Sequence, residues 1–79
     1  MEKRSLSIAG HRTSIALEPQ FWAALAEMAT ENGQTMAALI KSIDETRETA
    51  NLSSAARLAV LQWYQQRLAA SSAAEQTAD

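Results

Sequence analysis

Several residue types that small domains use for chemistry or for cross-linking are scarce or missing in this 79-residue chain. It contains no cysteine, which excludes disulfides and thiolate metal sites. Its single histidine, His11, excludes a site built from several imidazoles. Glycine occurs only as Gly10 and Gly33, so no glycine-rich phosphate-binding loop is present. A chain of this size without cross-links often gains stability by associating with another chain.

Long apolar runs are also missing. No stretch reaches the ~18 apolar residues that a bilayer-spanning helix needs, and no secretory apolar segment follows the charged start Met1–Arg4. Hydrophobic residues make up 47% of the chain and charged residues 20%, which favours a folded, largely helical domain over a disordered one. The sequence therefore predicts a soluble, cytoplasmic protein.

The side chains that commonly carry catalysis form no recognisable constellation. Asp44, Glu45 and Glu48 are interpreted as a solvated helix end, because no second acid or metal ligand faces them in the sequence. The pair Ser53–Ser54 has no identifiable general base. The sequence predicts a protein that is not an enzyme and that uses no metal or other cofactor.

One stretch alternates with the period of a β-strand. In Arg12–Leu17, every odd-numbered residue is apolar or β-branched, and every even-numbered residue is basic or small. The even-numbered side chains, Arg12, Ser14 and Ala16, are predicted to face away from the core. No second strand of comparable quality follows, and a lone strand leaves its backbone groups unpaired. The expected partner is therefore the same strand of a second copy.

Residues 1–11 are predicted to form a basic N-terminal arm or a bulged extension of that strand rather than half of a tight hairpin. Leu6 and Ile8 are even-numbered, so a single regular strand would place them on the opposite face from Ile15. Gly10 interrupts such a strand. Up to position 17 the chain carries three basic residues and one acidic residue, whereas the remainder carries four basic and eight acidic residues. This asymmetry is compatible with an anionic partner at the strand.

Two helices are predicted directly after the strand. The first spans roughly Pro19–Glu31, with proline at a favourable first position and an Asn32–Gly33 stop. The second spans roughly Met36–Arg47 and is capped by Thr35.

A third helix is predicted over roughly Ser54–Leu68, with Ser53 as its cap. Residues 69–79 are small and polar, and they are expected to form a flexible tail. The predicted organisation is thus an arm at 1–11, a folded domain at 12–68 and a tail at 69–79.

The order of alternating strand, Pro19 helix start, Asn32–Gly33 stop and Thr35–Met36 helix start resembles the ribbon-helix-helix (Arc/MetJ-like) superfamily over Arg12–Arg47. The chain is also similar to a bacterial subgroup with an added third helix, through Gly10–Ile15 and Asn51–Ser54. The resemblance implies a mostly helical fold in which two chains pair one strand each. The result is an intertwined homodimer with an intermolecular antiparallel two-stranded ribbon. The polar side of that ribbon is expected to enter the DNA major groove.

The resemblance also implies roles for individual residues. Base contacts are expected from Arg12, Ser14 and Ala16. Phosphate contacts are expected from the Thr35 hydroxyl and the amides of Met36 and Ala37, with further contacts from Lys3, Arg4 and His11. These roles imply a transcriptional regulator, and more specifically a repressor, which binds double-stranded DNA.

Two alternatives remain open at this stage. In the first, the protein is an antitoxin-like or other protein-interaction dimer, in which the third helix holds a partner and DNA binding is weak or lost. In the second, Asn51–Arg57 rather than Thr35 opens the second helix of the ribbon-helix-helix unit. The direct connection from Asn32–Gly33 favours Thr35.

Overall fold

The computed structural model describes the backbone of residues 1–78 and the side chains of residues 1–71. A two-stranded antiparallel sheet precedes three helices. The elements are β1 Glu2–Ile8, β2 His11–Leu17, α1 Pro19–Glu31, α2 Met36–Thr46 and α3 Leu52–Ala78. The predicted class, a mostly helical chain with a ribbon followed by three helices, is confirmed. Within residues 1–78, no helix combines the length and apolarity that a membrane crossing demands.

A ribbon is built within one chain, which corrects the prediction that residues 1–11 form an arm before a single strand. β1 pairs with β2 from Ile8–His11 beside the turn to Glu2–Leu17 at the open end. The segment predicted to be an arm is therefore a strand. The Arg12–Leu17 strand, which was expected to pair with a second copy, also has a partner in its own chain, on one of its two edges.

A two-residue turn at Ala9–Gly10 makes this hairpin possible. Both residues have positive φ, 51° and 83°, and this combination defines a type I′ turn, whose twist matches that of the flanking strands. Residues directly opposite in an antiparallel pair share a face. The turn therefore sets even-numbered Leu6 beside odd-numbered Thr13. The core-facing residues are therefore even-numbered in β1 and odd-numbered in β2. This switch argues against one continuous strand, but a two-residue turn between two strands requires it.

One face of the ribbon packs on the helices. Ile8, Ile15 and Leu17 are buried there, and Leu6 is half-buried against them. They join one hydrophobic core with residues of all three helices. These residues include Trp22, Leu25 and Met28 of α1, Leu39, Ile40 and Ile43 of α2, and Ala55, Ala56 and Val60 of α3. The ribbon is thus fixed to the helices by one face, and its other face is left outside the core.

The first two helices agree closely with prediction. α1 has the predicted bounds, Pro19–Glu31, and its C-cap residue Asn32 donates its amide to the Met28 carbonyl over 3.0 Å. Thr35 caps α2 by accepting a 3.1 Å hydrogen bond from the amide of Ala38. α2 ends at Thr46, one residue before the predicted Arg47. The helix that follows Asn32–Gly33 is therefore the one capped by Thr35.

The third helix differs from prediction at both ends. It begins at Leu52 rather than Ser54, and the side-chain oxygen of Asn51, not Ser53, accepts from the Ser54 amide over 3.3 Å. It continues to Ala78, beyond the predicted end at Leu68. The alanine-rich sequence after Leu68 contains no glycine or proline and has high helix propensity. Of the predicted tail, Asp79 lies outside the described residues.

Candidate nucleic-acid interface

The outer face of the ribbon, turned away from the helices, is polar on both strands. The register places Arg12, Ser14 and Ala16 of β2 opposite Ser7, Ser5 and Lys3 of β1, respectively. The hydroxyl oxygens of Ser5 and Ser14 lie 3.3 Å apart, as expected for neighbours on one face. The predicted outward direction of the three β2 side chains agrees with this register, while their contact with DNA stays a prediction.

Half of this outer face comes from β1, and sequence reasoning missed most of it. Lys3 was expected on a separate arm, but it lies on the ribbon beside Ala16. Ser5 and Ser7 were not singled out. Polar residues at 3, 5 and 7 alternate with Leu6 and Ile8 at the period of a second strand, and Gly10 is the one turn signal between the two strands.

The outer face offers a small set of chemically distinct groups. Arg12 presents several N–H donors in a planar fork that matches two acceptors on one base or phosphate. Ser14 both donates and accepts, while Ala16 offers only a methyl group. Lys3 adds a compact positive charge. Within the described side chains, no carboxylate forms an ion pair with Arg12 or Lys3, so both charges are available to an anion.

Arg4 and His11 lie apart from this outer face. Arg4 belongs to the side of β1 that faces the helices, where its guanidinium lies over the Trp22 ring, 4.6 Å from the ring centroid. Its Nε also donates to the carboxylate of Glu2. His11 is exposed beside the turn, opposite Ile8 and on the helix-facing side. The structure therefore groups Lys3 with Arg12 but not with Arg4 or His11.

The predicted phosphate anchor at the start of α2 is a separate element. α2 packs against β1, and Met36 packs on the core. The Thr35 hydroxyl already accepts from Ala38. The first amides of a helix have no intrahelical acceptor, so Met36 and Ala37 direct N–H groups outward at the positive end of the helix dipole. Such an end can hold a phosphate.

The arginines of α3 form ion pairs with carboxylates at the two ends of α1. Arg57 donates from Nη2 and Nε to one oxygen of Glu18, over 2.9 and 3.1 Å. A backbone hydrogen bond at Glu18 and this contact with Arg57 hold the pKa of the Glu18 carboxyl below its usual value. Arg67 donates to Glu31 over 2.6 Å. The acidic helices thus neutralise their own arginines, and positive charge stays concentrated on the ribbon.

A comparison with known protein families gives a match over most of the chain. The sequence model of a family described as "Ribbon-helix-helix domain" matches residues 1–64. The matched range includes both strands, the first two helices and the first half of α3. Neither a comparison with curated proteins nor one with solved structures gave a match.

Proposed function

Because the chain belongs to the ribbon-helix-helix domain family, we propose that it is a sequence-specific DNA-binding repressor of transcription whose ribbon enters the major groove. The ribbon-helix-helix fold is non-enzymatic and typical of DNA-binding regulators. One observation carries the proposal: the ribbon buries one face on the helices and exposes a polar face with two cations, Lys3 and Arg12, that pair with no carboxylate among residues 1–71. In a bacterial cell this activity is exerted in the cytoplasm, on chromosomal DNA.

The outer face suits the major groove in shape and chemistry. That groove, about 12 Å wide, admits a two-stranded ribbon. Arg12 donates two hydrogen bonds to O6 and N7 of a guanine, a contact worth ~1–3 kcal/mol of discrimination. Ser14 bonds to either purine or pyrimidine edges, and Ala16 contacts a thymine methyl. Lys3, beside Ala16, binds a phosphate at the rim of the groove.

Further phosphate contacts hold the ribbon in register. Thr35 and the amides of Met36 and Ala37 bind a phosphate through the start of α2, where the helix dipole favours an anion. His11 reaches a phosphate from the tip of the hairpin. Arg4 contributes less than was expected from sequence, because its guanidinium is held by Glu2 and the Trp22 ring.

A homodimer remains part of this proposal, with β2 paired as predicted to the same strand of a second copy, at the edge that β1 leaves free. Beside a two-residue turn, Ile8 and His11 form the hydrogen-bonded pair, so alternate residues of β2 direct their backbone groups toward β1. Arg12, Ser14 and Ala16 direct theirs to the free edge. Two β2 edges paired antiparallel about Ser14 place Arg12 opposite Ala16 of the second copy, with no like charges opposed. The product is a four-stranded sheet. Its two central β2 strands form the two-stranded ribbon that enters the groove, and the β1 strands lie along the rims, with Lys3 toward the phosphates.

A fluorescence-anisotropy titration with DNA fragments selected from a genomic pool tests the function. We expect binding at low salt that weakens steeply as salt rises. Arg12→Ala should reduce affinity for the selected site by roughly 5- to 150-fold, the equivalent of a lost base contact of ~1–3 kcal/mol. Arg47→Ala is the matched control, since Arg47 pairs with Asp44 on α2, off the ribbon. Absence of binding at low salt, or equal losses in the two variants, would refute the proposal.

A second candidate function is favoured by the exposed apolar side chains on α3. Leu58, Leu61 and Leu68 are all solvent-exposed in the single chain, and such a surface is typical of contact with another protein. In this alternative the dimer holds a partner protein, as an antitoxin holds its toxin, and DNA binding is weak. The same titration separates the two functions, since weak, sequence-independent binding favours the alternative.

A further inference from the structure

The face of α3 that points away from the core is apolar. Leu58 and Leu61 are each 51% exposed, Tyr64 is 46% exposed and Leu68 is 69% exposed. The opposite face of the same helix carries Ala56 and Val60, which are buried in the core. α3 thus has two apolar faces, and within residues 1–71 only one of them is covered.

A groove lies beside this exposed face. Phe21 and Ala24 of α1 form one wall, and Leu58, Leu61 and Tyr64 of α3 form the other. Its volume is about 520 Å³. A helix laid along α3 would therefore cover exposed leucines and also contact α1.

We propose that this face of α3 pairs with the same face of a second copy, with the two helices antiparallel. Positions 58, 61, 65 and 68 follow the 3-4-3 spacing of a helix-pairing seam. The spacing is symmetric about position 63. An antiparallel pair therefore sets Leu58 opposite Leu68 of the second copy, and Leu61 opposite Gln65.

The charge distribution favours a second copy as the occupant. Between Leu52 and Ser71 the only charged residues are Arg57 and Arg67. Both are paired within their own chain, to Glu18 and Glu31. The seam between them carries no charge, so two identical seams meet without repulsion, whereas a strongly charged partner finds no complement there.

The lengths of the helices favour the antiparallel direction. α3 has 27 residues and α1 has 13, which correspond to about 40 Å and about 20 Å at 1.5 Å per residue. The C-terminal half of α3 therefore extends past α1. In an antiparallel pair, the extending half of each helix covers the groove and the Leu58 end of the other. In a parallel pair, the folded parts of the two chains would instead lie side by side. The C-terminal half of each α3 would then have no part of the other chain's groove to cover.

Molar mass in the absence of DNA tests this association. Sedimentation equilibrium of the full chain over a range of concentrations should show Leu61→Glu losing one association step, with half the wild-type mass. Gln66→Glu is the matched control: it adds the same charge to the same helix, about 140° around from Leu61, and should keep the wild-type mass. Far-UV circular dichroism checks that both variants are folded. A monomeric wild type, or a folded Leu61→Glu variant with wild-type mass, would overturn the proposal.

Disulfide trapping tests the direction of the pair. The chain has no cysteine, so introduced thiols are the only ones present. A mixture of Leu61→Cys and Gln65→Cys chains should form the mixed disulfide on mild oxidation, in excess over either self-linked product. Preferential self-linking of Leu61→Cys, or no cross-linking above that of Gln66→Cys, would overturn antiparallel pairing. Neither experiment involves DNA, so its outcome is separate from that of the DNA titration.

Discussion

Trp22 of α1 donates its indole N–H to the backbone carbonyl of Glu2 over 2.8 Å, which joins the first helix to the open end of the ribbon. The side chain is 1% exposed, and the Arg4 guanidinium lies over its ring. A buried donor that lost this acceptor would be left without a partner. Trp22 therefore links β1 to α1, in addition to the packing of α2 against β1.

Replacement of Trp22 by phenylalanine should loosen β1. The variant keeps an aromatic ring but removes the hydrogen bond and leaves a small cavity, so we expect the free energy of unfolding to fall by ~1–3 kcal/mol. Urea denaturation followed by circular dichroism measures it. Trp63→Phe serves for comparison, because Trp63 is only half-buried and its indole donates no hydrogen bond within residues 1–71. Equal losses in the two variants would show that the bond to Glu2 adds little.

A substitution at Ala9 should make the hairpin turn more stable. Alanine there has φ of 51°, a region that L residues other than asparagine and aspartate rarely adopt. Ala9→Asn gives the Asn-Gly pair preferred in type I′ turns and should raise the free energy of unfolding by about 0.5–1 kcal/mol. Gly10→Val should lower it, even though a side chain at Gly10 meets open space. The loss would then come from the backbone angle of 83° alone.

Stability should depend on pH through Glu18 and Arg57. The pKa of Glu18 is lowered in the folded protein, by a backbone hydrogen bond and by Arg57. This stabilisation is complete above the pKa of the unfolded carboxyl and is lost as pH falls through the folded pKa. Arg57→Gln should therefore lower the melting temperature most near neutral pH, and the gap to wild type should shrink below about pH 4. A gap that is constant with pH would instead assign the loss to the contact between Arg57 and Phe21.

Lys3 should affect DNA binding differently from Arg12. As a phosphate contact it carries no sequence information. Lys3→Ala should weaken binding to selected and random DNA equally, and it should reduce the slope of log affinity against log salt by about 1. Anisotropy titrations at several salt concentrations measure both quantities. A change in base preference would place Lys3 on a base edge instead.

The features predicted correctly from the sequence are those that depend only on a residue and its nearest backbone groups. Pro19 and Asn32–Gly33 fix both ends of α1, and the Thr35 cap fixes the start of α2, because proline, glycine and a hydroxyl act on the nearest backbone groups. The outward direction of Arg12 and Ser14 follows from strict alternation in β2. These features need no knowledge of the rest of the chain.

The errors arise where a distant partner or an unusual residue decides the structure. The hairpin was missed because Ala9 holds a positive φ that sequence rules assign to asparagine or glycine. Lys3 was misplaced for the same reason, since its position on the outer face depends on the turn. The extent of α3 was underestimated because alanine-rich, weakly amphipathic sequence resembles a tail as much as a helix. The DNA-contact roles have no local determinant, and they remain predictions.

The different surroundings of the two tryptophans provide a built-in optical probe. Trp22 is enclosed and bonded to Glu2, whereas Trp63 is half-buried, with Tyr64 edge-on at 4.9 Å and Arg67 over its ring. In a Trp63→Phe background, indole emission reports only on whether the first strand is docked. In a Trp22→Phe background, it reports on how the Trp63 side of α3 packs on the core. Detachment of the ribbon and loosening of α3 can therefore be followed as separate fluorescence signals without any added dye.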